Sequence, residues 1–162
     1  MWVVGNVNGT GARGMWQSAP IDKSNPNGWM STLQSRGTFT NALQGIRENQ
    51  IVALPNGGFL LTGAADKQPV YGAAASTPGD LLKAPTAELV GAIPSPLPSE
   101  SPGWPYGPSI ASTKVLPNGQ EQVTMRVSTW DRAWEDFKPT PEIPQPPDYD
   151  PRTYTTTFTI TP

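Results

Sequence analysis

The chain contains no cysteine and no histidine. The first absence excludes disulfides, thiolate metal sites and cysteine nucleophiles. The second excludes haem held by histidine and any Ser-His-Asp triad. Without thiols, cysteine usage is silent on redox compartment. Charge is scarce as well, with 15% of the 162 residues charged where soluble domains average about 25%. The 11 basic and 13 acidic residues leave a net charge of −2 with no basic block, so no nucleic-acid partner is expected. No apolar run approaches the roughly 18 residues that cross a bilayer, so no membrane span is expected. The opening Met1-Trp2-Val3-Val4 lacks the basic region and the apolar run of a signal peptide. No cofactor or metal is implied either: Asp148-Tyr149-Asp150 lacks the regular ligand alternation and closing glutamate of a calcium loop. Gly9-Thr10-Gly11 is not followed by the Lys-Ser/Thr of a phosphate loop.

What the sequence has in excess is punctuation, with 16 glycines and 20 prolines. These are the two worst helix formers, by roughly 1 and 3 kcal/mol per residue, so a helical bundle is excluded. Short apolar segments alternate with Gly, Pro, Asn and Ser, which is the grammar of an all-β protein. Strands are expected at Trp2–Val7, Arg13–Ser18, Trp29–Gln34, Ile46–Leu54, Gly58–Gly63, Pro69–Ala75 and Ala87–Ala92. Further on, Gln122–Trp130 alternates cleanly with period two, and Thr153–Thr161 is almost entirely β-branched or aromatic.

A turn recurs. Leu54-Pro55-Asn56-Gly57 is repeated as Leu116-Pro117-Asn118-Gly119, each copy between two apolar strands. A repeat of four-strand units at this period points to propeller blades, against the plainer reading of two unrelated hairpins sharing a common turn. Two proline-rich stretches interrupt the pattern, 94–108 and 139–151, each with six prolines. Proline fixes φ and lacks the ladder donor, so neither stretch is expected as a helix or a central strand. The expected organisation is one all-β domain of about ten antiparallel strands in two to three propeller-like blades, with little helix. Residues 1–45 form a partial blade, 46–93 a blade, 94–106 a proline-rich connector, and 107–162 a blade carrying a proline-rich insertion at 135–152.

Tyr106-Gly107-Pro108, followed by a strand-turn-strand ending in Ser128-Thr129-Trp130 and a last strand from Tyr154, resembles a particular family. It is similar to the five-bladed β-propellers, long catalogued as a domain of unknown function, that are linked to endo-acting D-arabinan hydrolases of actinobacterial cell walls. Tyr71–Leu82 also resembles that family's third strand and outgoing loop. About ten strands is half of what five four-stranded blades require, so the resemblance is to the C-terminal half of the fold. It implies that the hydrolytic carboxylates belong to the absent N-terminal half and that this chain alone is catalytically incomplete.

The residues themselves offer a weaker route to hydrolysis. Glycosidases need two carboxyl groups about 5 to 9.5 Å apart, and the local candidates are Asp131 with Glu135 or Asp136, beside Trp130 and Trp134. The plainer reading is a solvated acidic loop, since residues 131–152 carry six acids and three bases. Asp66 and Asp80 sit beside turn residues, where Asp is common. No catalytic residue is assigned.

Aromatic residues carry the stronger signal. An aromatic face with a polar handle suits a sugar ring, and arginines supply donors around it. The substrate-binding residues expected from sequence are Trp104, Tyr106, Arg126, Trp130 and Asp131, with Arg13 and Arg47 as further donors. Trp2, Trp16 and Trp29 are expected to fill space between sheets. A half-propeller leaves blade faces bare, which predicts a homo-oligomer or a second protein chain completing the blades. The functional expectation is the carbohydrate-recognising portion of a glycoside-hydrolase-like propeller acting on arabinan-type cell-wall polysaccharide. A non-catalytic structural or adhesive β-protein, such as a phage tail or virion component, is the alternative. Either points to an extracellular, cell-envelope or virion setting.

Overall fold

The computed structural model describes residues 1–7, 10–65, 68–93, 104–130, 140–141 and 152–161. Over these residues the protein is all-β, with short 3-10 helices and no α-helix. The strands are β1 (Trp2–Asn6), β2 (Arg13–Gln17), β3 (Gln34–Thr38), β4 (Glu48–Ala53), β5 (Phe59–Ala64), β6 (Val70–Ala75), β7 (Ala87–Val90), β8 (Trp104–Val115), β9 (Glu121–Trp130) and β10 (Thr153–Ile160). They form three open antiparallel meanders in chain order, β1-β2-β3, β4-β5-β6-β7 and β8-β9-β10.

The central sheet is covered on both faces. Every residue from Leu60 to Ala64 on β5 is buried, which is why this strand does not alternate apolar with exposed polar residues. Leu61 joins Met15, Phe39, Leu43, Ile46, Ala73 and Leu81 in one core, with Trp2 and Val4 of β1 packed against it. On the opposite face, Ala64 and Val70 meet Met125 and Val127 of β9. Leu60 meets Val123 there, with Ile110 and Phe158 packed alongside. The first sheet therefore lies on one side of the central sheet and the third sheet on the other. Close approach requires Gly63: a Cβ there would lie 2.5 Å from Ile46 Cδ1 and 3.0 Å from the Glu48 carbonyl oxygen.

The two repeated turns close through the same pair of hydrogen bonds. In the first, Gly57 N–H donates to Leu54 O at 3.0 Å and Leu54 N–H to Gly58 O at 3.0 Å. In the second, Gly119 N–H donates to Leu116 O at 2.9 Å and Leu116 N–H to Gln120 O at 2.8 Å. Gly57 and Gly119 take φ of +95° and +82°, the left-handed position that closes a turn of this kind.

Two expectations are corrected. Trp29–Gln34 is not a strand: Gly28–Thr32 is a 3-10 helix with no buried residue, and β3 starts only at Gln34. The physical reason is local competition. Ser31 Oγ and Thr32 Oγ1 each donate at 2.8 Å to the carbonyl three residues back, Gly28 and Trp29, tightening the chain into turns instead of releasing it to a ladder. The third sheet also begins earlier than Gly107. Trp104-Pro105-Tyr106 already belongs to β8, with Pro105 opposite Thr129. Proline is accommodated there because β8 is an edge strand of its sheet, so its missing donors remove no ladder bond. The connector at 94–103 and most of the insertion at 135–152 lie outside the described residues.

Candidate functional site: the outer face of the third sheet

The alternation of β9 sets the geometry. Glu121, Val123, Met125, Val127 and Thr129 are buried toward the central sheet, and Arg126 is exposed. Side chains alternate across a strand, so Gln122, Thr124, Arg126 and Ser128 line the face turned away from the core. Register then fixes their neighbours. Trp104 stands opposite Trp130, Tyr106 opposite Ser128, and Ser109 opposite Arg126, with bulges after Tyr106 and Ile110 keeping β8 in step. On the other flank Thr153 is opposite Ser128, Thr155 opposite Arg126 and Thr157 opposite Thr124.

Four of the five residues expected to bind substrate thus fall on one hairpin. Trp104 and Tyr106 are alternate residues of β8 on the outward side, with Trp104 half-buried and Tyr106 44% exposed. Arg126 is exposed on the neighbouring strand within two residues of the Tyr106 row. Trp130 holds the backbone position across from Trp104. Asp131 lies outside the described residues, as do Asp66, Trp134, Glu135, Asp136 and Asp148-Tyr149-Asp150. Around the aromatics the face is hydroxyl-rich, with Ser109, Ser112, Thr124, Ser128, Thr153, Thr155 and Thr157 in adjacent register positions.

The other expected donors are employed elsewhere. The Arg13 guanidinium donates to the Ile46 carbonyl and to Asn6 Oδ1, tying the first sheet to the start of β4. Arg47 is exposed just before β4, and its backbone N–H donates to Ala64 O at 2.8 Å. Trp2 packs against the core as expected. Trp16 covers glycine positions, its Cη2 lying 3.1 Å from where a Gly14 Cβ would sit. Trp29 is half-buried in the first 3-10 helix.

Sequence reasoning missed the polar residues of β4. Glu48 accepts the Gly107 backbone N–H, and Gln50 accepts that of Ile110. These side chains satisfy the outer edge of β8 and fix the strand that carries Trp104 and Tyr106. Glu48-Asn49-Gln50 is a plain polar run in the sequence, and only tertiary placement gives those acceptors their donors.

Four of the five described carboxylates, Asp22, Glu48, Asp80 and Glu121, serve turns and edges. Asp80 accepts from Thr77 Oγ1 at 2.7 Å at the start of the Pro78–Leu82 3-10 helix. Asp22 accepts from Ser24 Oγ at 2.7 Å and from Ser24 N–H at 2.8 Å, and these bonds hold its carboxyl below the ordinary value of 3.8. Among the described residues no group of three or more Asp or Glu is placed to hold a metal. A separate hollow of about 360 Å³ lies on the first sheet, lined by Gln17, Ser18, Thr32, Gln34 and Arg36; none of the expected site residues borders it. No described helix is long and apolar enough to cross a membrane.

No family model matches the chain, and no curated protein or solved structure matches it.

Proposed function

We propose that the chain is the carbohydrate-recognising portion of a glycoside-hydrolase-like β-propeller. It binds an arabinan-type cell-wall polysaccharide on the outer face of the third sheet and contributes to cleavage only when another chain completes the blades. The observation that supports this reading is the juxtaposition of two outward aromatics, Trp104 and Tyr106, with the exposed guanidinium of Arg126 on the adjacent strand. A furanose or pyranose ring offers C–H faces to an aromatic surface and hydroxyls to a planar donor, and the Ser and Thr hydroxyls around them extend the polar contact. Asp131 follows the strand that carries Arg126 and is assigned to the same site.

The second reading, a non-catalytic structural or adhesive β-protein such as a phage tail or virion component, is favoured by one observation. Of the five described carboxylates, Asp22, Glu48, Asp80 and Glu121 are committed to backbone or side-chain donors within the fold, leaving Glu88 on the short strand β7.

Titration calorimetry with a D-arabinan, and with xylan as the control polymer, separates the two. The carbohydrate reading expects Trp104→Ala and Tyr106→Ala each to weaken arabinan binding at least tenfold with an unchanged melting temperature. Absence of binding by the intact chain abandons it in favour of the structural reading. A matched loss of affinity and melting temperature in Trp104→Ala makes that residue part of the packing.

A further inference from the structure

The edges of the three sheets are not equally guarded. Exposed strand edges invite pairing with another chain, and proteins block them with proline, charge, bulges or short length. β8 carries Pro105 and Pro108, and its outward N–H groups at Gly107 and Ile110 are occupied by Glu48 and Gln50. β4 contains Glu48; β3 is five residues long and contains Arg36; β1 is five residues long. β7 is four residues long, contains Glu88 and pairs through a bulge. β10 has none of these devices. It runs eight residues, Thr153–Ile160, with no charge, proline, glycine or bulge, and no described strand pairs with its far side.

The direction of its backbone follows from one bond. Thr129 N–H donates to Arg152 O at 2.9 Å, so in the β9–β10 register the even residues of β10 exchange bonds with β9. In an antiparallel ladder the alternate residues then point the other way. Thr153, Thr155, Thr157 and Thr159 therefore present their N–H and C=O groups at the open edge.

We infer that β10 pairs antiparallel with β10 of a second copy of this chain, about a two-fold axis through Thr156. The strand is self-complementary in that register. Thr153 meets Thr159 of the second copy and Thr155 meets Thr157 as hydrogen-bonded pairs, which uses all four outward residues of each strand. Tyr154 meets Phe158 and Thr156 meets itself as the non-hydrogen-bonded pairs, where side chains come closest. Aromatic–aromatic and Thr–Thr pairs are both favourable cross-strand combinations. Shifting the axis to Thr157 uses one fewer outward residue per strand and sets Phe158 against Thr156, so the Thr156 register is preferred. Tyr154, Thr156, Phe158 and Ile160 are half-buried on the inner face, and a second β10 beside them completes their cover. The result is a continuous sheet of six strands whose outer face carries the threonine rows of both copies. This inference rests on backbone direction and strand composition, and it is independent of the sugar-binding reading.

Light scattering coupled to gel filtration of the full chain, with two variants, tests it. The intact protein is expected at twice the chain mass. Thr157→Pro removes an outward N–H and no β9 bond, so a monomer with an unchanged far-ultraviolet circular dichroism spectrum is expected. Because the chain has no cysteine, Thr156→Cys gives a clean second readout. Its two copies face each other across the axis within disulfide range, and mild oxidation is expected to yield a covalent dimer, while Thr157→Cys yields several-fold less. An intact chain that is monomeric at all concentrations overturns the proposal. So does a dimer that survives Thr157→Pro, or cross-linking at Thr157→Cys equal to that at Thr156→Cys. Should Thr157→Pro fail to fold, the two cysteine variants decide alone.

Discussion

Glu121 reaches across from the third sheet to the central one, and its Oε1 accepts the backbone N–H of Asn56 at 2.7 Å. Asn56 answers, donating Nδ2 to the Gly119 carbonyl at 2.9 Å. The two copies of the Leu-Pro-Asn-Gly turn are therefore clasped to each other, one on each of two facing sheets. Glu121 is 1% exposed, and its Oε2 has no partner among the described residues. Losing a part-buried hydrogen bond of this kind costs about 0.5–1.5 kcal/mol. Glu121→Ala is expected to lose that amount in urea unfolding, whereas Glu121→Gln keeps a carbonyl acceptor and loses less than half of it. Equal losses would mean that the carboxyl group itself, not a carbonyl acceptor for Asn56, is what matters there, since glutamine keeps the side-chain volume.

The shared turn geometry gives a matched pair of experiments. Gly57 and Gly119 both take positive φ, and a Cβ at either position meets nothing within 4 Å. Substitution is therefore strained only by the backbone, at about 1–2 kcal/mol for an L-residue in this region. Gly57→Ala and Gly119→Ala are expected to lower stability by similar amounts in that range, read from the denaturant midpoint at constant slope. A loss at one position alone would show that the turns differ in spite of their common hydrogen bonds.

Much of this architecture is legible in residue order because β-sheets advertise themselves through alternation and turn chemistry. Val123, Met125 and Val127 alternate with Thr124, Arg126 and Ser128, and the structure turns the first set inward and the second outward. The paired Asn-Gly turns mark two hairpins closed by the same pair of hydrogen bonds. What alternation cannot convey is local competition and tertiary pairing. Ser31 and Thr32 bond to their own preceding carbonyls and convert an expected strand into a 3-10 helix. Gly63 reads as a weak strand residue until Ile46 and Glu48 are seen crowding it. At the candidate site, Trp104, Tyr106 and Arg126 come together because of a register that two bulges set, and no spacing rule predicts bulges. Glu48 and Gln50 were illegible for a further reason: their donors, Gly107 and Ile110, lie some sixty residues away.

Asp22 provides a pH readout confined to one turn. Its carboxylate accepts the Ser24 hydroxyl and amide, which favours the charged form and lowers its pKa below 3.8. The unfolded chain then binds a proton more readily than the folded one. By linkage, the stabilisation is present above the unfolded value near 3.8 and is lost as pH falls through the lower folded value. The group is exposed, so solvent screens the effect and global stability is expected to change little. Following the Asp22 carboxyl by nuclear magnetic resonance should give a midpoint below 3.8, with the Ser24 amide shift moving in step; a midpoint at or above that value would contradict the turn geometry.

Arg126 separates recognition from folding more cleanly than the aromatics do. It is exposed, it faces Ser109 on one side and Thr155 on the other, and it sits on the outward face of a strand whose inward face makes the core. Surface substitutions of this kind stay within about 0.5 kcal/mol of wild-type stability, so any functional loss is attributable to the guanidinium itself. Arg126→Lys keeps the charge but not the planar fork that can span two sugar hydroxyls. If the site takes a neutral arabinan, both Arg126→Lys and Arg126→Ala should weaken binding several-fold, and raising salt from 50 to 500 mM should leave the wild-type affinity within twofold, because no ion pair is screened. A strong salt dependence, with Arg126→Lys behaving as wild type, would instead identify an anionic ligand and remove arabinan from the proposal.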